Sequence, residues 1–221
     1  MNTIPDTMQK DFRAALLAGQ KALCSQLIKE LTHDKQLELA VIYEQLLKPS
    51  LYKVGELWEQ NKITVATEHL ASSIVESILT ELYMNLQPAQ LNGKRAILAS
   101  VPGELHQIGV KMVNDVLEKQ GWETYFLGSN IPIKDLIHFA KGVKPHIFAF
   151  SMSLYFNLTY LMKMLTELRV HFPDTLIIIG GQGFTRGGTD IIRQFKNMIY
   201  IKDLFELNSY LQNKDLWTDK N

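Results

Sequence analysis

Two periods divide the chain. Up to about residue 88, apolar positions recur at three- and four-residue steps, as on amphipathic helices. Beyond about residue 93, short unbroken apolar runs alternate with helical patterns. Phe12, Ala15, Leu16 and Ala18 begin a first helix that Gly19 closes, and Lys21 to Leu31 forms a second. A longer segment runs from Lys35 to about Leu47, with Leu37, Ala40, Val41, Glu44 and Leu47 in helical spacing. Pro49 then restarts the chain, and Leu51, Val54, Leu57 and Trp58 mark another apolar face. After the turn NKIT, the stretch VATEHLASSIVESILTELYMNL carries the strongest helix signal, with Thr64 as its N-cap. Residues 1–88 are expected to form a bundle of four or more helices.

Leu86 to Gly93 (LQPAQLNG) reads as a linker, with proline, polar residues and glycine together. After it come RAILASV as a buried strand and LHQIGVKMVNDVLEKQG as a helix ended by glycine. ETYFLGS is a strand, PIKDLIHFAKG a helix, HIFAFSMS a strand and LTYLMKMLTELRVHF a helix. TLIIIGGQG is a further strand, a shorter helix around Asp190 to Phe195 leads to NMIYI, and DLFELNSYLQN is a final helix. Five strands alternating with five helices predict an α/β domain over residues 93–214. Its doubly wound, five-stranded parallel sheet would be flavodoxin-like and covered on both faces. Ligands in such sheets bind beyond the carboxyl ends of the strands, where strand order reverses. Gly103, Glu104, His106 and Gly109 fall there after the first strand, Ser151, Met152 and Ser153 after the third, and Gly180, Gly181 and Gly183 after the fourth.

Composition narrows the function classes. Lysine plus arginine and aspartate plus glutamate both total 23, so no net basic field favours nucleic acid. The single cysteine, Cys24, excludes an internal disulfide framework and fits a reducing compartment. Neither an apolar signal-peptide core nor a run long enough for a membrane span is present, so a cytoplasmic protein without membrane attachment is expected.

Locally, His106 reads two ways: as a solvated residue at a helix start, or as an imidazole ligand to a transition metal. In the second case Glu104 would hold its other nitrogen if the loop folds back. The glycines of GGQG suit a narrow ligand tail or an ordinary turn. Trp58 is core or ligand cap, and one member of the adjacent Glu68-His69 pair must be partly buried, because neighbours on a helix point about 100 degrees apart. No P-loop, dinucleotide fingerprint or nucleophile elbow is present, and the remaining histidines lack zinc-site spacing.

Together these segments resemble a known family. Glu104-x-His106-x-x-Gly109, then Ser151 forty-two residues after Gly109, then Gly180-Gly181, is similar to the cobalamin-binding domain shared by methionine synthase, corrinoid methyl-carrier proteins and light-sensing regulators. Glutamate replaces the family's usual aspartate at position 104, as in the light-sensing repressors. Those proteins also carry a helical cap with tryptophan, nine residues, then Glu-His, matching Trp58 and Glu68-His69 here. The resemblance runs over roughly residues 10 to 210.

It implies that His106 binds cobalt from below and Glu104 orients it. The displaced nucleotide tail would run along Ser151 and Ser153 under Gly180-Gly181, with Gly109 letting the first helix approach. Trp58, Glu68 and His69 would cover an upper axial group. Three departures accompany it. The repressors have a DNA-binding domain before the cap, where this chain starts, so direct DNA binding is not expected. Glu59 stands where they have a second cobalt-capturing histidine. Ser153 stands where methionine synthase has leucine, with Leu154 next.

The resemblance therefore implies a stand-alone cobalamin sensor, most simply of adenosylcobalamin, whose light-labile upper ligand props Trp58. Such a sensor signals through a regulatory protein or by self-association and requires no catalysis. The alternatives are a corrinoid methyl-carrier with a methyltransferase partner, holding methylcobalamin or hydroxocobalamin, and a sensor of another planar cofactor, heme or a bilin.

Overall fold

The structure, a computed structural model, describes residues 3–34 and 36–213. Lys35, at which the third predicted helix starts, and residue 214, at which the predicted second domain ends, lie outside the described residues. The chain divides into two compact units, Met1–Leu86 and Gln87–Asn221.

The first unit is helical. α1 (Asp6–Leu17) and α2 (Lys21–Lys29) meet across the turn at Gly19, where Leu70 packs so closely that a β-carbon would stand 2.8 Å from its Cδ2. A short α3 (Leu39–Ile42) continues through a π-turn (Tyr43–Leu47) directly into α4 (Lys48–Glu59). Pro49 therefore does not restart the chain, as its residue type suggests. A proline inside a regular helix lacks the N–H for the preceding turn and its ring strikes a carbonyl there. The wider π-turn immediately before it accommodates both, so the helix passes through. α5 (Val65–Met84) starts where predicted, the Thr64 hydroxyl accepting from the Thr67 N–H at 3.2 Å. Phe12, Leu16, Ile28, Tyr43, Leu47, Val75 and Ile78 are buried in this unit's core.

The second unit is a five-stranded parallel sheet in the order β2-β1-β3-β4-β5, as the alternation predicts. The strands are β1 (Arg95–Ser100), β2 (Glu123–Gly128), β3 (Ile147–Ser151), β4 (Leu176–Gly180) and β5 (Met198–Tyr200). Helices α6 (Ile108–Lys119), α7 (Ile133–Val143), α8 (Leu158–His171) and α9 (Leu204–Gln212) cover it. β1 and β3 are buried almost throughout, which is why their sequences are continuous apolar runs rather than alternating ones. The connection from β4 to β5 holds only 3₁₀ turns (Gln182–Arg186 and Thr189–Gln194) in place of the predicted fifth helix. Gly187 and Gly188, both at positive φ (119° and 87°), interrupt the segment before an α-turn can propagate. No helix among the described residues is long and apolar enough to cross a membrane.

Strand register fixes the rim on which a ligand would sit. Ser100, Ser151 and Gly180 pair in one row across β1, β3 and β4, at the carboxyl end of each strand. The opposite end is tied by Arg169 at the end of α8. Its guanidinium donates to the carbonyls of Phe172 (3.0 Å), Thr175 (2.6 Å) and Asn197 (2.9 Å), joining the turns that enter β4 and β5. Replacing Arg169 by alanine strands these carbonyls. It is expected to lower stability by about 2–3 kcal/mol, or roughly 5–10 °C in Tm, in thermal unfolding. Arg169→Lys, with one compact ammonium, should recover only a minor part.

Candidate functional site

The site begins with how β1 ends. Past Ser100 the chain turns through Gly103 and folds back, so that Glu104 is fully buried while its neighbour Leu105 is 72% exposed. Predicted helix α6 begins three residues later than its apolar pattern suggests, at Ile108, which leaves Leu105, His106 and Gln107 in the loop. Two bonds keep His106 there: its backbone N–H donates to Glu104 Oε1 at 3.1 Å, and its carbonyl accepts from the Ser100 hydroxyl at 2.9 Å.

The Glu104 carboxylate is surrounded by donors. Oε1 also accepts from Nδ1 of the His106 ring. Oε2 accepts from the backbone N–H groups of Ser153 and Leu154, both at 2.9 Å, and from Asn157 Nδ2 at 3.3 Å. Burial pushes the carboxyl pKa up, but the hydrogen bonds from the His106 ring and backbone, the imidazole charge and the Leu154 N–H outweigh it, so the net shift is downward. Glu104 is thus held ionised. Its bond to Nδ1–H places the imidazole lone pair on Nε2, and the ring is half exposed, 51% for the side chain. A histidine with one nitrogen held by a buried carboxylate and the other directed outward matches the donor arrangement of a protein-held metal ligand. These residues therefore fit an axial cobalt ligand, and His106 is not the helix-start residue of the simpler reading.

The remaining predicted residues of this unit fall around the same rim. Ser151 ends β3 and is buried; a β-carbon on Gly109 would lie 3.4 Å from its hydroxyl, so the first turn of α6 sits close to it. Ser153 reaches Glu104 through its backbone. Gly180 and Gly181 are required by the chain itself: a β-carbon on Gly180 would stand 2.8 Å from the Ile201 carbonyl oxygen, and one on Gly181 (φ +110°) 2.4 Å from that of Met152. In the first unit, Trp58 lies in the last turn of α4 and is 45% exposed. Glu68 and His69 divide as their spacing requires. Glu68 is mostly buried and accepts from the Ser72 hydroxyl at 2.7 Å, while His69 is exposed, its Nε2 3.5 Å from Glu68.

Asn157, fully buried beside Glu104, was not among the predicted residues, nor was Ser100. Asn157 lies 53 residues from Glu104 in a short turn before α8, where an asparagine reads as an ordinary helix-start residue. Only the packing of the β1 and β3 loops against each other brings the two together.

Two B12 binding domain models match the chain, one over residues 94–201 and the other over residues 8–83. The HTH-type transcriptional repressor CarH of Myxococcus xanthus is 29% identical over 174 residues, covering 77% of this chain and 57% of the repressor. The chain thus spans little more than half the length of that relative. Dimethylamine corrinoid protein 1 of Methanosarcina acetivorans is 24% identical over 162 residues, covering 71% of this chain and 76% of that protein. The solved structure of the Methanosarcina barkeri monomethylamine corrinoid protein shares the fold, with a TM-score of 0.78 over 90% of this chain and 94% of that one, at 16% identity.

Glu104→Gln preserves shape but sets an amide N–H₂ against donors on one side. It should cost about 2–4 kcal/mol in denaturant unfolding at neutral pH. The pH dependence follows from the sign of the shift. A carboxyl whose pKa is depressed by folding contributes stability that is complete above its unfolded value, near ~4.3, and is lost as pH falls through the lower folded value. The gap between the parent and Glu104→Gln should accordingly be constant above about pH 5 and narrow in acid.

Proposed function

From the premise that the chain belongs to the B12-binding domain family, and is a cobalamin-binding module related both to corrinoid proteins and to CarH-like regulators, we propose that it acts as a corrinoid carrier with His106 as its lower cobalt ligand. The observation that carries this reading is the Glu104–His106 pair. A buried carboxylate with no other exposed partner presents one half-exposed imidazole in a defined tautomer at the switch point of the sheet.

Cobalamin held there would supply a cobalt able to accept and release a methyl group on the face away from His106. The protein's own residues do the rest. Glu104 fixes the imidazole and tunes its basicity, since a carboxylate partner makes the ring a stronger donor. Gly109 and Ser151, with Ser153 and the Gly180-Gly181 turn, are the proposed neighbours of the nucleotide tail. Trp58, Glu68 and His69 are the proposed contacts of the upper axial group. A methyltransferase is the partner class this reading requires. The match to three quarters of a dimethylamine corrinoid protein favours it.

A second reading, an adenosylcobalamin-dependent light sensor acting through a regulatory protein or self-association, is favoured by one feature. Trp58, nine residues, then Glu68-His69 repeats the spacing by which the chain resembles light-sensing repressors, and CarH is among its relatives.

The test is retention of cobalamin after gel filtration in darkness, with methyl-, hydroxo- and adenosylcobalamin supplied separately. The carrier reading expects methyl- and hydroxocobalamin to be retained with a base-off, histidine-on spectrum, and His106→Ala to lose that spectrum. Strong preference for the adenosyl form, with a light-driven change in elution volume abolished in Trp58→Ala, would replace it with the sensor reading. Failure to retain any cobalamin, with heme or a bilin retained instead, would overturn both.

A further inference from the structure

Residues 87–94 connect the two units without forming helix or strand, yet most of the segment is seated on the second unit. The Ala89 N–H donates to the Lys119 carbonyl at 3.3 Å and the Asn92 N–H to the Gly121 carbonyl at 2.8 Å. Asn92 Nδ2 adds a bond to the Gln120 carbonyl at 3.2 Å, and its Oδ1 accepts from the Lys94 N–H at 2.9 Å. The seat is shaped for the chain that occupies it. Gly121 closes α6 at φ +82°, and a β-carbon there would stand 2.3 Å from the Gln90 carbonyl oxygen. Three successive carbonyls at the end of α6, which a helix leaves without intrahelical partners, are thereby used or covered by the linker.

On the other side, the end of α5 is fixed through Leu86, whose N–H donates to the Tyr83 carbonyl at 2.9 Å. Only Gln87 and Pro88 lie between the two anchorages. Pro88 fixes its own φ and restricts the residue before it, so this joint is short and stiff. Its contour is roughly 7 Å. With Ala89 and Asn92 released, the free segment extends from residue 87 to 93 and reaches roughly 24 Å. Every bond of the seat is exposed to water, which can replace each of them at small net cost.

We propose that residues 89–92 are a latch that sets how far the two units can separate: seated, the joint is Gln87–Pro88; unseated, it is more than three times longer. The consequence rests on the carrier reading. A carrier must offer the upper face of its cofactor to a second protein, and the latch determines whether the tether allows that.

The experiment measures the joint without cofactor, so it stands or falls separately from cobalamin binding. Nitroxides are attached at Lys10→Cys and Lys141→Cys, both exposed positions, in the full chain, where the native Cys24 is buried. Their distance distribution is read by double electron–electron resonance. Asn92→Pro removes one backbone donor and both side-chain bonds, and Ala89→Pro removes the other donor; each variant's thermal unfolding is recorded alongside. The latch predicts a narrow distribution in the parent and at least a two-fold broader one in whichever variant retains cooperative unfolding. It also predicts that the Asn92 amide exchanges at least ten-fold more slowly than in an unstructured peptide. An unchanged width in the folded variants, or an Asn92 amide exchanging at the unstructured rate, overturns it.

Discussion

A carboxylate removed from water must be answered by donors, and the answer that Glu104 receives organises the ligand rim. Burying this group without partners would cost several kcal/mol or force it to take up a proton. Instead its two oxygens collect the His106 N–H and ring, two backbone N–H groups of the β3 loop and the Asn157 amide. The β1 loop is pulled back over its own strand, the β3 loop is pulled towards it, and the imidazole is left in one tautomer. Stability and chemistry thus draw on the same bonds: what holds the loops together also points Nε2 outward.

The sheet makes this possible. In the order β2-β1-β3-β4-β5, the chain leaves β1 towards one side and β3 lies on the other, so the loops following these two strands part at the rim. Register sets their heights: Ser100, Ser151 and Gly180 end their strands in one row, and the Ser100 hydroxyl holds the His106 carbonyl from below. Beside them, Gly180 and Gly181 bring β4's exit against the backbone of Ile201 and Met152. Their lack of side chains is demanded by the chain's own path, so any ligand tail there inherits a surface that packing has already shaped.

The parts of this arrangement legible in the sequence are those that local physics decides. The apolar runs of β1 and β3 announce buried parallel strands because both faces are covered, and Thr64 announces the start of α5 because its hydroxyl meets an orphan N–H. The split between a sheltered Glu68 and an exposed His69 follows from helical geometry alone. Where the reading failed, a neighbouring turn outweighed the residue type. Pro49 stays within a helix because a π-turn precedes it, and Asp190 to Phe195 forms no α-helix because Gly187-Gly188 sets the backbone before it. Asn157 was invisible for a different reason. Its role comes from a partner 53 residues away, and no period or spacing near it encodes that meeting.

The central claim is that the Glu104-held imidazole of His106, and not the cofactor's own base, occupies the lower face of cobalt. The most direct measurement is the electron paramagnetic resonance spectrum of the protein loaded with cob(II)alamin, in natural-abundance material and in material labelled with ¹⁵N-histidine. The account predicts that the nitrogen splitting changes from a triplet to a doublet on labelling, and that the doublet is absent in His106→Ala. A triplet unaffected by labelling would show the cofactor's own base on cobalt and would contradict the account.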